Sequence, residues 1–337
     1  MNSWHEYLKE NGAELVDSYV SNFGNEKMEL ATALSGHILC DLSHLGLLEV
    51  QGQDAYDFLQ GQLTNDIKQL NGTNSQYTGY CNPKGRLLAF FLAFSHHDHI
   101  HLQLNGMLTE SILSRLKMYI LRSKVSIVDK SKDIVCFGLS GINAFEYLKG
   151  IFKNVPDVPY EIKSLEEATI IRLLGAVPRY LVFTPQNNAI AIWEKLNPFF
   201  SPAGKTCWDY LEIMAGIPDI EPSTKEEFVP QMLNLDTLGA INFKKGCYTG
   251  QEIVARTHYL GKVKRKTLQG NIKSTDQPKA GDDVYLDISN EVAGKIVRSS
   301  SSPESGYEAL VEVRIEAVEA GKITWQGYPF KFREFSE

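Results

Sequence analysis

Residues 244–252 read KKGCYTGQE, and this stretch carries the strongest functional signal in the chain. A lone cysteine, Cys247, follows two lysines and a glycine. Thr249 and Glu252 have the spacing of a capping box, which predicts that a helix starts at Gly250. The thiol then lies just before a helix N-terminus, where the helix dipole and the adjacent lysines favour thiolate over thiol.

The predicted helix runs to about His258, with Gly261 beyond its end. Cys247 and His258 would then stand at opposite ends of this helix, separated by about 12 Å of helical rise. A general base acts over roughly 3 Å, so His258 is excluded as the base of a protease-like dyad. A thiolate acting as a nucleophile, a ligand or a redox group remains, beside the alternative that Cys247 is a small buried hydrophobe.

The length of 337 residues predicts two or three domains, because a chain of this size exceeds what one small hydrophobic core organises. The apolar run LLAFFLAF is far shorter than the roughly 20 residues that cross a bilayer, and MNSWHEYLKE at the N-terminus has no apolar signal region. The five cysteines are odd in number and contain no CxxC pair, which excludes a disulfide framework and a zinc knuckle. We therefore expect a cytoplasmic protein with reduced thiols and no membrane partner.

Charge is unevenly distributed along the chain. The net charge is −7, which argues against wholesale nucleic-acid binding. Residues 241–270 nevertheless hold one acid, Glu252, and seven basic residues, Lys244, Lys245, Arg256, Lys262, Lys264, Arg265 and Lys266. An anionic ligand is expected in this region.

Hydrophobic periodicity predicts short helices on mostly antiparallel sheets, an α+β fold. An amphipathic helix is predicted from Trp4 to Tyr19, and two strands are joined by the turn NPKG at 82–85. After Lys266 only strands are predicted, which favours an antiparallel barrel or sandwich of about 70 residues. These strands are 283–286, 292–297, 307–315, 322–325 and 328–332.

The run HHDHIH, residues 96–101, holds four of the eight histidines. His99 and His101 share one strand face, so a metal site is conceivable. The run also lies where a hairpin loop belongs, with Asp98 as its one carboxylate, and we favour an exposed hairpin without a metal.

TCWDYLEIMAGIP, residues 206–218, predicts a second helix with Trp208 in its first turn. Trp208 fits the apolar core face of that helix, and it is also well placed to stack on a flat heterocycle. NPKGR, residues 82–86, fits a turn whose cations could meet a carboxylate tail.

FKKGCYTGQEIVART, residues 243–257, and the following YLGKVKR closely resemble the signature of the YgfZ family, the tRNA-modifying, folate-binding proteins related to the glycine cleavage T-protein. The resemblance spans roughly residues 45–297. The further segments that carry it are DAYDFLQGQLTNDI, YCNPKGRLLAF, LRSKVSI, LEIMAGIPDIEPSTKEEFVPQMLNLDTLGAI and AGKIV.

The resemblance implies a T-protein-like cloverleaf of two interleaved α+β subdomains, residues 1–260, plus a C-terminal antiparallel β-barrel, residues 261–337. Tetrahydrofolate or a one-carbon derivative would bind in a central hole, and no metal is implied. Cys247 is the family's characteristic cysteine and the candidate reactive thiol. The implied cofactor-binding residues are Trp208, Lys245, Tyr248, Gln251, Arg86 and Asn65.

The chain departs from the T-protein pattern at two places that bear on activity. T-proteins carry a catalytic aspartate close to Ala89 and a GEDG-like segment where this chain has LLGAVPR, residues 173–179. The family's second folate-contacting tryptophan falls near Leu45, where this chain has no tryptophan. The pattern favours a folate-binding accessory factor over a glycine-cleaving enzyme.

The resemblance implies support of iron–sulfur cluster assembly or repair, and through cluster-dependent enzymes the thiomodification of tRNA. Its partners would be folate and iron–sulfur enzymes or assembly factors, with tRNA reached indirectly. Two alternatives stay open. One is a folate-dependent one-carbon transferase, and the other is a direct tRNA binder that uses Lys262, Lys264, Arg265 and Lys266.

Overall fold

The computed structural model describes residues 3–17, 19–96, 98–259 and 263–333. Its helices are α1 Ser3–Glu10, α2 Glu26–Ser35, α3 Ala55–Gln60, α4 Thr109–Met118, α5 Ala144–Ile151, α6 Ala189–Leu196, α7 Lys205–Met214, α8 Gln251–Tyr259 and α9 Ile315–Ala320. Its strands are β1 Glu14–Val16, β2 Tyr19–Asn22, β3 Ile38–Asp41, β4 Leu45–Gln51, β5 Ser75–Cys81, β6 Leu87–His96, β7 His99–Asn105, β8 Ser126–Asp129, β9 Ile134–Ser140, β10 Ile162–Ser164, β11 Thr169–Leu173, β12 Arg179–Pro185, β13 Ser201–Ala203, β14 Arg265–Ile272, β15 Asp283–Leu286, β16 Val292–Ser301, β17 Tyr307–Arg314, β18 Ile323–Trp325 and β19 Tyr328–Phe332.

The chain forms two compact units built from interleaved segments. Unit 1 comprises residues 1–55, 70–76 and 93–211, and unit 2 comprises residues 56–69, 77–92 and 212–337. The predicted domain boundary at 260/261 falls among residues outside the described ranges, and it remains a prediction.

Unit 1 is organised around a six-stranded sheet of order β10-β11-β12-β9-β3-β13. Its neighbours are antiparallel except β13, which pairs with β3 in parallel. A second antiparallel group joins β7, β4 and β8. The core contains Trp4 of α1, whose ring packs 5.3 Å from both Phe137 and Trp193, and its indole Nε1 donates to the buried Asp41 Oδ1 at 2.9 Å.

Unit 2 ends in a closed antiparallel barrel of strand order β14-β17-β16-β15-β18-β19. Alternate residues of β17, Ala309, Val311 and Val313, point into its core, as the alternation in YEALVEVRI predicts. The α+β class and the C-terminal barrel predicted from the sequence are therefore confirmed. The predicted NPKG turn is also present, since the Gly85 N–H donates to the Asn82 carbonyl at 2.9 Å.

Two predictions about secondary structure were wrong. The first helix ends at Glu10 and not at Tyr19, because Gly12 adopts φ +91° and the chain turns into the hairpin β1-β2. The region after Lys266 is not strands only, because β17 ends at Arg314 and IEAVEA forms α9 with Ala317 in the barrel core. Strand β14, rich in basic residues at its start, was not predicted.

Within the described residues, no helix is long and apolar enough to cross a membrane.

Candidate functional site

The segment around Cys247 lies in unit 2 and leads into α8. The helix begins at Gln251, one residue later than predicted, because Gly250 adopts φ +85°, outside the helical region. Gly250 rather than Thr249 therefore holds the position before the first helical residue, and its carbonyl accepts from the Val254 N–H at 3.4 Å. The predicted capping box is out of register by this one residue. The predicted stop, Gly261, lies outside the described residues.

Two glycines bring the NPKG turn against the start of α8. A Cβ on Gly250 would lie 2.5 Å from the Asn82 carbonyl oxygen and 2.9 Å from Gly85 Cα. A Cβ on Gly85 would lie 2.8 Å from Ile253 Cβ. The two motifs singled out in the sequence, 82–86 and 244–252, are thus packed against each other at backbone distance.

Lys245 is a buried anchor for the loop that follows α3. Its Nζ donates to the carbonyl oxygens of Gln60 at 2.8 Å, Leu63 at 2.6 Å and Asn65 at 2.8 Å. Burial lowers the pKa of Lys245 to about 8. The three acceptors match the three N–H bonds of an ammonium, which a neutral amine cannot supply, so the charged form fits the site at neutral pH. These bonds occupy the donors that a cofactor would use, and the predicted contact of Lys245 with folate remains a prediction.

Tyr248 fixes the other side of Cys247. Its ring is 7% exposed, and the Lys245 ammonium lies 5.1 Å from the ring centroid. Burial raises the pKa of the Tyr248 hydroxyl, so it stays neutral. Lys245 and Tyr248 both turn inward, and the chain between them is held from both ends.

Cys247 is the exposed cysteine among five. The other four, Cys40, Cys81, Cys136 and Cys207, are buried. Burial raises the pKa of Cys81 to about 12 and raises the pKa of the other three buried thiols as well. The buried thiols are therefore inert, whereas Cys247 is accessible to a reaction partner.

Asn65 and Arg86, two predicted cofactor residues, are also in unit 2. The Asn65 Nδ2 donates to the carbonyls of Tyr77 at 2.9 Å and Gly239 at 2.8 Å, and its side chain is buried. The exposed guanidinium of Arg86 donates to the Glu227 carbonyl. Asn65 ties loops together, and Arg86 is accessible to an anionic tail. Gln251, partly buried at the start of α8, completes the predicted set within this unit.

Trp208 belongs to unit 1, where it packs in the first turn of α7. Its ring is 3% exposed, and the Arg179 guanidinium carbon lies 5.5 Å from the ring centroid. A Cβ on Gly138 of β9 would lie 2.6 Å from the ring, so only glycine fits beneath it. Both the core role and the stacking role were open in the sequence. The structure shows the packed ring, and the predicted contact with folate remains a prediction.

The basic stretch is only partly available to a ligand. Arg265 forms a bidentate pair with the buried Glu312, at 2.5 Å from Nε and 2.9 Å from Nη2. Lys262 lies outside the described residues. Lys244, Arg256 and Lys264 are exposed.

The histidine run has a partner that sequence reasoning missed. Glu49 Oε2 lies 3.3 Å from both His99 Nδ1 and His101 Nε2, through the pairing of β4 with β7. Burial lowers the pKa of His101 to about 4. His97 lies outside the described residues. In the part of the chain that the structure describes, no group of three or more His, Cys, Asp or Glu side chains is arranged to hold a metal ion.

The sequence predicts that the catalytic aspartate that T-proteins carry close to Ala89 is missing from this chain, and this remains a prediction. Ala89 is fully buried on β6 between two buried neighbours, Leu88 and Phe90. A carboxylate at this position would be desolvated inside the core.

Comparison with known proteins gives a consistent result. Residues 5–173 match the family model of the GCVT N-terminal domain. The tRNA-modifying protein YgfZ of Sodalis glossinidius is 32% identical over 310 residues, which cover 88% of this chain and 94% of that protein. The protein of the same name from Colwellia psychrerythraea is 34% identical over 248 residues, 73% of this chain and 75% of the relative.

A solved structure shows the same fold. The glycine cleavage system aminomethyltransferase T from Bartonella henselae aligns over 99% of this chain and 96% of its own, with a TM-score of 0.76 and 17% identity. The T-protein-like fold predicted from the sequence is therefore confirmed.

Proposed function

Because the chain belongs to the family of the tRNA-modifying proteins YgfZ, we propose that it is a cytoplasmic, tetrahydrofolate-binding protein that supports iron–sulfur cluster assembly or repair and thereby the thiomodification of tRNA. In this proposal the protein binds folate and acts on cluster-dependent enzymes or their assembly factors. It reaches tRNA through those enzymes.

The accessibility of Cys247 is the observation that carries the proposal. Four cysteines of the chain are buried, and the one in KGCYTGQE is exposed. It stands between Lys245 and Tyr248, two side chains fixed in the interior of unit 2. An exposed thiol on a rigid segment can ligate iron, exchange a sulfur or attack an electrophile without a rearrangement of the fold.

The described residues fit part of a folate ligand. Folate ends in carboxylates, and the exposed Arg86 offers a guanidinium to such a group. Gln251 offers an amide at the start of α8. The pterin end is a flat ring that suits Trp208, but one face of that ring already carries the Arg179 guanidinium. Stacking on Trp208 would therefore displace or sandwich Arg179.

Bound tetrahydrofolate would supply a carrier for a one-carbon unit. Within unit 2, Arg86 would orient it by pairing with a carboxylate. The predicted stacking of the pterin on Trp208 of unit 1 is a separate prediction. Cys247 would present its sulfur as an accessible nucleophile or ligand, and burial would keep the Tyr248 hydroxyl protonated as a hydrogen-bond donor.

A titration with tetrahydrofolate tests the binding step. Tryptophan fluorescence is followed in the wild type and in Trp208→Phe, with Trp325→Phe in the barrel as the matched control. We expect saturable quenching in the wild type and the control, and a loss of most of the signal change in Trp208→Phe. An absence of binding by the wild type, checked by calorimetry, would overturn the folate proposal.

A one-carbon transferase with a different substrate is the second candidate, and the exposed Cys247 thiol is the observation that favours it. Ala89 opposes a T-protein reaction, because no carboxylate stands at that position. Incubation with methylene- or formyl-tetrahydrofolate and a thiol or amine acceptor separates the two. Catalytic turnover supports the transferase, and stoichiometric binding without product supports the accessory factor.

A further inference from the structure

An aromatic cluster lies on the surface of unit 2 at the C-terminal end of α8. The rings of Phe243 and His258 stack with centroids 3.7 Å apart and planes inclined by 13°. The ring of Tyr259 stands edge-on to both, 4.8 Å from His258 and 6.2 Å from Phe243. We call these three residues the aromatic platform.

The platform is exposed. Tyr259 is 65% exposed, His258 is exposed and Phe243 is partly buried. The helix is held to unit 2 elsewhere, by the fully buried Val254, whose carbonyl accepts from Gln231 Nε2 at 2.7 Å. The rings therefore do not hold α8 to the rest of unit 2. Neighbouring aromatic rings at a surface that have no such role are typical of an interaction surface.

The charges next to the platform are positive. Lys244 follows Phe243 directly. Arg256 precedes Tyr259 by three residues and so lies on the same face of α8, and both cations are exposed. Lys264, also exposed, follows Tyr259 by five positions in the sequence. The single acid of the region, Glu252, lies at the opposite end of α8, about 9 Å away along the axis. The segment that carries the rings, residues 241–270, thus holds seven basic residues and one acid in a chain of net charge −7.

We propose that the aromatic platform and these cations bind a single-stranded segment of RNA. Bases stack on aromatic rings regardless of their sequence, and lysine and arginine side chains contact the phosphates between them. An apolar peptide would use the rings but not the cations. RNA uses both, and this complementarity favours it.

The inference goes beyond the proposed function, in which tRNA is reached only through other enzymes. The platform and the thiol use different side chains: the rings of His258 and Tyr259 stand at the C-terminal end of α8, about 12 Å along the axis from its start at Gln251, whereas Cys247 precedes the helix. A protein with both features would hold RNA and present a thiol on the same unit.

Fluorescence anisotropy with a labelled single-stranded RNA of about 12 nucleotides tests the proposal. The wild type is compared with the double variant His258→Ala, Tyr259→Ala. The control is Tyr119→Ala, which removes another exposed ring, 41% exposed, from unit 1. Both variants are first checked for wild-type urea unfolding. We expect the double variant to bind about tenfold or more weakly, the control to bind within about twofold of the wild type, and affinity to fall steeply with salt.

Three results would overturn the proposal. They are no RNA binding by the wild type at low salt, equal affinity of the double variant and the wild type, and equally tight binding of a blunt RNA duplex, whose bases cannot stack on the platform. A folate titration of the same proteins separates this proposal from the proposed function. Folate binding without RNA binding removes only the platform proposal, and RNA binding that depends on the platform supports it even where folate does not bind.

Discussion

The ammonium of Lys245 donates a hydrogen bond of 2.6 Å to the carbonyl oxygen of Leu63, across 182 positions of the chain. This bond and those to Gln60 and Asn65 fix the residue two positions before Cys247 to the end of α3 and the loop that follows it. Cys247 therefore lies on a segment that is fixed to the interior of unit 2. The side chain of Lys245 makes this attachment and is buried rather than exposed to solvent.

Removal of this anchor should destabilise the protein. Lys245→Met keeps the length of the side chain but leaves three carbonyls, two of them buried, without their donor, at an expected cost of about 3 kcal/mol in the free energy of unfolding. Urea denaturation measures the change. Lys244→Met, next in the chain and exposed, is the control and should stay within about 0.5 kcal/mol of the wild type. Equal stability of the two variants would show that Lys245 is not an anchor.

The contact of Gly250 with the NPKG turn leads to a second prediction. Gly250→Ala adds a methyl group 2.5 Å from the Asn82 carbonyl oxygen at a residue with φ +85°, so we expect a loss of about 2 kcal/mol or more. Gly246→Ala is the matched control four residues earlier, because its Cβ would meet nothing within 4 Å. Thermal unfolding of both variants decides the matter, and an unchanged midpoint for Gly250→Ala would refute the close packing.

His101 should make the stability of the protein sensitive to acid. Burial lowers its pKa to about 4 from the ordinary 6.5, so between these pH values the unfolded chain binds a proton that the folded protein does not. The free energy of unfolding should therefore fall as pH drops from 6.5 towards 4, by up to about 3 kcal/mol from this group. The nearby Glu49 opposes part of this loss.

The variant His101→Gln removes this titration, and urea unfolding at several pH values should show a shallower decline than in the wild type. His99→Gln, which removes the other histidine beside Glu49 but one that is 38% exposed, should leave most of the decline in place. A His101→Gln curve parallel to the wild type between pH 4 and 6.5 would contradict the assignment.

Elements encoded within a few residues could be predicted from the sequence, whereas contacts between positions far apart in the chain could not. The helix after Cys247, the NPKG turn and the barrel strand 307–314 follow from turn chemistry and periodicity within a few residues, and the structure has them. The packing of Gly85 on Gly250, the partner of Lys245 and the carboxylate Glu49 beside His101 join positions far apart in sequence. No local pattern encodes such pairs, because they depend on which strands become neighbours in the fold.

The two corrected elements have the same cause. Leu15 and Tyr19 fit the helical period of the first segment, but the glycine at position 12 adopts a conformation that ends the helix and starts a hairpin. IEAVEA continues the alternation of β17 for one residue and then forms a helix that places Ala317 in the barrel core. In both cases the period of the apolar residues did not decide the element: the turn at Gly12 ended the first helix, and packing of Ala317 in the barrel core accompanies the second.

Replacement of Cys247 tests the central claim, that its accessible thiol serves the proposed function. In a strain that lacks the protein, the fraction of thiomodified tRNA nucleosides is measured by mass spectrometry after complementation with the wild type, Cys247→Ser or Lys117→Met, a control in α4 of unit 1. Because Cys247 and Lys117 are both exposed, neither variant should unfold. We predict that Lys117→Met restores the modification and that Cys247→Ser, expressed at the same level, does not. Full restoration by Cys247→Ser would contradict the claim.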